Sequence, residues 1–74
     1  MLIMLKSFGL HLKQIRLNKN YTQEQLADLS DLDRTYISGV ERGVRNISLI
    51  NIIKLSRALE ISPSELLNFK VPKR

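Results

Sequence analysis

The chain has 74 residues and a net charge of +5, with no cysteine and a single histidine, His11. A chain this short buries only one core, so a compact helical domain helped by self-association is expected, and without thiols or a second imidazole it has neither disulfides nor a metal-ligand cluster. Almost nothing remains from which to build a catalytic or cofactor site, and the apolar run Met1–Leu5 ends at Lys6, far short of the roughly 20 residues of a membrane span, so the expectation is a soluble, cytoplasmic protein that is not an enzyme.

Leu5, Phe8, Leu12 and Ile15 recur at spacings of three and four, which makes them one face of a helix over about 7–18, closed by Asn18–Tyr21. Thr22-Gln23-Glu24-Gln25 reads as a capping box that starts a second helix over 23–30, whose apolar residues are Leu26, Ala27 and Leu29. Ser30-Asp31-Leu32 interrupts it; Asp33 then offers a new cap, and a third helix over 34–42 stops at Gly43, a residue suited to the left-handed position after a helix. A loop holding Arg45 and Asn46 leads to Ser48, the cap of a fourth helix over 49–59 with Ile52, Leu55 and Leu59 on one stripe. Ser62-Pro63-Ser64-Glu65 combines a capping box with proline at the first helical position and starts a short fifth helix over 63–67, after which 70–74 is a basic tail. The reading is all-α: one domain, a compact five-helix bundle without strands or repeats.

Two short helices joined by about three residues, the second about ten long, make a helix-turn-helix unit, whose second helix is shaped to enter a DNA major groove. Successive residues turn by about 100°, so Arg34, Thr35, Ser38 and Arg42 share one side of the third helix and Tyr36, Ile37 and Val40 the other. Gly39 lies along the polar edge, where the missing side chain allows close approach to another backbone at a cost of about 0.5–1 kcal/mol in helix stability. Charge is segregated as well. Met1–Tyr21 carries four basic residues and no acid, Thr22–Asp33 four acids and no base, and Arg34–Arg57 five bases against Glu41 alone. A net positive charge favours an anionic partner, nucleic acid being the commonest for a small basic domain, and the acidic segment orients the molecule on it.

Gln23-Glu24-Gln25-Leu26-Ala27, Ile37, Val40 and Glu41-Arg42-Gly43 together resemble the core pattern of the XRE family, the phage-repressor and Cro-like regulators with a lambda-repressor-like domain, over about 7–67. The resemblance implies that Ala27 lets the two helices cross closely, that Ile37 and Val40 seat the recognition helix, and that Arg16 and Glu41 form a shielded ion pair between the first and third helices. Two positions depart from the pattern. Asp31 stands where a turn glycine is frequent, a residue that tolerates the left-handed conformation moderately well, and Gly39 replaces what is often a polar side chain, which removes a base contact. The string Leu32–Arg42 followed by Arg45-Asn46 is similar to the controller proteins of restriction-modification systems, small dimeric regulators that bind operators upstream of their own gene and the endonuclease gene. Prophage regulators and antitoxins share much of this string, and a protein-interaction adaptor on the same fold is the alternative from another class.

Base contacts are expected from Arg34, whose fork suits guanine O6 and N7, from Thr35 and Ser38 on the same face, and from Arg45 in the following loop. Tyr36 is divided between the protein side, where its angle points it, and DNA, where the controller-like pattern uses it. Gln23 at the start of the second helix, Arg42, Asn46, Ser48 and Asn51 are expected at phosphates, which they would grip without reading sequence. His11 is expected at the boundary of the core or in solvent. Ile50, Ile53, Ile61, Leu66, Leu67 and Phe69 exceed the need of a five-helix core and are candidates for an isologous dimer patch, the alternative being that they fill the core. Two-fold symmetry would set two recognition helices near 34 Å apart, about one DNA turn, on a pseudo-palindromic operator. Operator DNA, a second copy of the chain and RNA polymerase are thus the expected partners; no cofactor and no membrane is among them.

Overall fold

The computed structural model describes residues 2–72, which form five helices: α1 (Leu2–Asn18), α2 (Gln23–Ser30), α3 (Arg34–Glu41), α4 (Leu49–Ala58) and α5 (Pro63–Leu66). Of the expected basic tail, residues 73 and 74 lie outside the described residues. No helix among the described residues is long and apolar enough to cross a membrane.

Each helix after the first starts where a short polar side chain meets a free amide. Thr22 Oγ1 accepts from the Gln25 amide at 3.1 Å while Gln25 Oε1 accepts from the Thr22 amide at 2.8 Å, so the capping box closes in both directions. Asp33 accepts from the Thr35 amide, Ser48 from the Asn51 amide, and Ser62 with Glu65 makes a second complete box ahead of Pro63. The ends follow from the same logic. Arg42, Leu59 and Leu67, expected as last helical residues, are the caps themselves, and Gly43 takes up φ 76° after α3. Asp31 adopts the left-handed conformation (φ 58°, ψ 40°) that the turn needs, so the absent glycine leaves the turn geometry intact.

α1 is longer than its sequence suggests, beginning at Leu2 instead of Ser7. Leu, Met and Lys favour helix and no proline interrupts them. The extension is also packed: Met4 and Leu5 line an apolar groove with Phe8, Ile47, Leu67 and Phe69, and Lys6 lies against Gly43. The core joins all five helices through Phe8, Leu12, Leu26, Ala27, Ile37, Val40, Ile52, Leu55, Leu59 and Leu66. Leu29 is exposed, because the buried face of α2 is made by Leu26, Ala27 and Ser30 and Leu29 lies roughly 100° round the helix from its centre. Leu66 is 0% exposed within the single chain, so it belongs to the core and offers nothing to a second copy. The chain after α5 folds back instead of trailing: Phe69 packs edge-on against Phe8, ring centroids 5.5 Å apart, and tilts against His11. His11 is half-buried there, its Nε2 donating to the Glu65 carbonyl at 3.0 Å, and so ties α1 to α5.

α1 and α3 touch most closely at Gly9. A Cβ on Gly9 would strike the carbonyl oxygens of Val40 and Glu41 and come within 2.8 Å of the Glu41 carbonyl carbon. The end of α3 therefore rests directly on the backbone of α1, and the outward face of α3 inherits the rigidity of that crossing.

Candidate nucleic-acid interface

α3 buries Ile37, Gly39, Val40 and Glu41 and leaves Arg34, Thr35 and Arg42 exposed, with Ser38 half-buried at the edge. The expected polar face is thus assembled on one side of a short helix seated on the core. Arg34 is steadied at its guanidinium: its Nη1 donates to Gln23 Oε1 at 3.4 Å. Gln23 in turn donates through Nε2 to Glu41 Oε1 at 3.0 Å. Glu41 is held by Arg16 through two parallel bonds, Nε to Oε2 at 2.7 Å and Nη2 to Oε1 at 2.9 Å, and Arg16 Nη1 also donates to the Tyr21 carbonyl at 2.8 Å.

Arg16 and Glu41 are both buried, so their attraction acts in a poorly screened environment. The hydrogen bonds it donates to Glu41 raise the Arg16 guanidinium above its already high ordinary range, against the lowering effect of burial. A chain of contacts therefore runs from the α1–α2 turn through the buried pair to the exposed arginine of α3. Gln23, expected at a phosphate, uses its side-chain amide inside this chain, bonding both Glu41 and Arg34.

Tyr36 lies at the flank of α3, half-buried against the core, with its hydroxyl donating to the Asn46 carbonyl at 3.4 Å. Arg45 places its guanidinium 5.3 Å from the centre of the Tyr36 ring. The loop arginine and the tyrosine thus form one unit beside the polar face. Gly39 departs from its expected use. A Cβ there would strike Arg45 Cγ, so in the free protein the space above Gly39 is filled by the stem of Arg45 and not by another backbone.

Around the rim, Ser48 Oγ accepts from the Asn51 amide at 3.1 Å, which leaves its hydroxyl hydrogen free to donate, and Asn46 is exposed with Oδ1 accepting from the Ile47 amide. Arg42 curls back, its Nε donating to the Ser38 carbonyl at 3.3 Å. Lys6 and Lys13 were not legible as site residues, yet with Leu10, Gln23, Glu41 and Arg42 they line a shallow depression at the α1–α3 crossing. Their spacing of seven with Leu10 between, one stripe on α1 away from the core face, is the signal that marks them. Of the dimer candidates, Ile50 is 69% exposed and Leu67 45%, while Ile53, Ile61 and Phe69 are half-buried; Leu49, not singled out by its pattern, is 72% exposed beside Ile50. Among the described residues no group of three or more His, Cys, Asp or Glu is placed to hold a metal.

The same architecture recurs in proteins already characterised. The chain is similar to control protein C.BamHI of Bacillus amyloliquefaciens, 57% identical over 63 residues that cover 84% of this chain and 78% of that protein. Among solved structures it is similar to the restriction-modification controller protein C.AhdI from Aeromonas hydrophila, with a TM-score of 0.82 and 56% identity over 84% of this chain and 94% of that one. It is also similar to C.Esp1396I bound to a 19 base pair DNA duplex, with a TM-score of 0.80 and 42% identity over 86% and 85% of the two chains. The helix-turn-helix family pattern matches residues 12–66, from the buried face of α1 to the end of α5, and the chain belongs to this helix-turn-helix family of DNA-binding regulators.

Proposed function

We propose that the protein is a homodimeric, sequence-specific transcription regulator of the restriction-modification controller type, which binds a pseudo-palindromic operator and controls its own gene and restriction-modification genes. One observation carries this reading: Arg34, Thr35 and Ser38 share the outward face of a helix whose opposite face is core, and Arg34 is braced from within through Gln23 and Glu41. A rigid helix with a polar face and an arginine in its first turn is the geometry that reads base edges in a major groove. Arg34 takes a guanine, Thr35 and Ser38 contact neighbouring bases, and Arg45 adds a contact from the loop. Arg42, Asn46, Ser48 and Asn51, joined by Lys6 and Lys13, hold the phosphates on either side of the groove.

A second copy docks through Leu49, Ile50 and Leu67, with Ile53, Ile61 and Phe69 half-buried behind them. The two-fold axis then brings both α3 helices to one face of the duplex. The bound dimer works in the cytoplasm and meets RNA polymerase through the exposed acids of α2, Glu24 and Asp28, which would repel phosphate and so stay clear of the DNA.

Titration of duplex DNA by fluorescence anisotropy separates reading from gripping. Arg34→Ala is expected to weaken the selected site by about 1–3 kcal/mol and to relax preference at one base position, whereas Arg42→Ala weakens all duplexes alike and lowers the salt slope by about one. An Arg34→Ala protein with unchanged affinity and preference would remove α3 from its role as the recognition helix.

A further inference from the structure

Gly39 is buried, although Ser38 of the same helix and Arg42 at its cap reach the surface. The atoms nearest above it all belong to one side chain, Arg45. A Cβ built on Gly39 would strike Arg45 Cγ and lie 3.4 Å from Arg45 Cβ and 3.6 Å from Cδ. The Gly39 carbonyl accepts from the amides of both Val44, at 3.0 Å, and Arg45, at 3.2 Å. Farther out, the Arg45 guanidinium sits over the Tyr36 ring, and the Tyr36 hydroxyl is tied to the Asn46 carbonyl. Backbone, stem and head of Arg45 are each held by a separate contact. A loop arginine free in solution loses its rotamer freedom when it engages a base; one already lying along a helix loses far less.

We propose that Gly39 is a positioning residue for Arg45: its missing side chain is the seat for the arginine's stem, and this seat aims the guanidinium out of the α3–α4 loop along the recognition face. The inference rests on the reading of Arg45 as a base contact. It explains why a helix devoted to base recognition gives up a side chain in its middle. The residue lost at position 39 is replaced at the surface by a longer, cationic one arriving from the loop.

The test uses a duplex selected from a random pool by the wild-type protein, titrated with wild type, Gly39→Ala, Arg45→Ala and the double variant. Gly39→Ala is expected to weaken that duplex about tenfold or more, to relax the same base position as Arg45→Ala, and to cost nothing further once Arg45 is alanine. In the free protein, both single variants should shift the Tyr36 ring resonances alike in an NMR spectrum. If Gly39→Ala lowers Tm, Arg45→Ala should restore it, because the colliding Cγ is gone. Losses that multiply in the double variant would overturn the seat and make Gly39 a point of direct DNA approach. Unchanged Tyr36 resonances in Gly39→Ala, or a lowered Tm that Arg45→Ala does not restore, would overturn it as well. An Arg45→Ala protein that matches wild type at every base position would overturn the underlying reading of Arg45, a failure distinct from the others.

Discussion

Arg16 makes three hydrogen bonds, two to the buried Glu41 and one to the Tyr21 carbonyl, and so ties α1 to α3 and to the α1–α2 turn. Its removal strands a carboxylate in the interior, and breaking a buried pair from one side costs roughly 3–5 kcal/mol. Arg16→Ala is therefore expected to lower Tm by more than ten degrees, at about 4–8 °C per kcal/mol for a domain of this size, while base preference at the operator is kept at temperatures where the protein stays folded. A thermally unchanged variant that has lost binding would move Arg16 to the DNA surface. The pair itself was legible from the resemblance in the sequence, as was the polar face of α3. The partners of Gln23 and Arg45 were not. Gln23 turns inward because Glu41 keeps an acceptor lone pair that Arg16 leaves open, and Arg45 lies back because Gly39 makes room; both depend on side chains brought together from distant positions, which periodicity does not encode.

The helices were legible to within a residue wherever a cap or a glycine marks their ends, since capping is local chemistry written in three or four consecutive residues. α1 alone escaped, starting five residues early, because its first turns are held by contacts with Ile47, Leu67 and Gly43, which lie far along the chain. Gly9 shows the same limit. Nothing around it in sequence distinguishes it from a glycine that merely weakens a helix, yet α3 lies on it. An exposed helical glycine replaced by alanine gains about 0.8–1 kcal/mol. Gly9→Ala is expected to do the reverse, costing roughly 1–3 kcal/mol as the added methyl pushes Val40 and Glu41 outward, with a fall in Tm and weaker DNA binding together. A rise in Tm measured by calorimetry would contradict the close crossing of α1 and α3.

In the molecule as a whole, the apolar surplus divides between core and surface. Leu66 fills the core and Phe69 is largely spent on Phe8 and His11, while Ile50, Leu67 and the neighbouring Leu49 remain outside. Burial cannot be divided between core and surface from a pattern on α5 only four residues long, and this is where the sequence reading of the dimer patch was least discriminating. The exposed residues flank the start of α4 and the end of α5, where Ile47 and Leu67 line one groove, and the proposed two-fold contact is placed there. The central claim joins this symmetry to base reading, and selection of duplexes from a random pool tests both at once. The account predicts an enriched sequence with two related half-sites about one helical turn, or 10–10.5 base pairs, apart, and the loss of one position in each half-site when Arg34→Ala is used in the selection. A pool that shows no sequence enrichment, or a single unpaired site unchanged by Arg34→Ala, would contradict it.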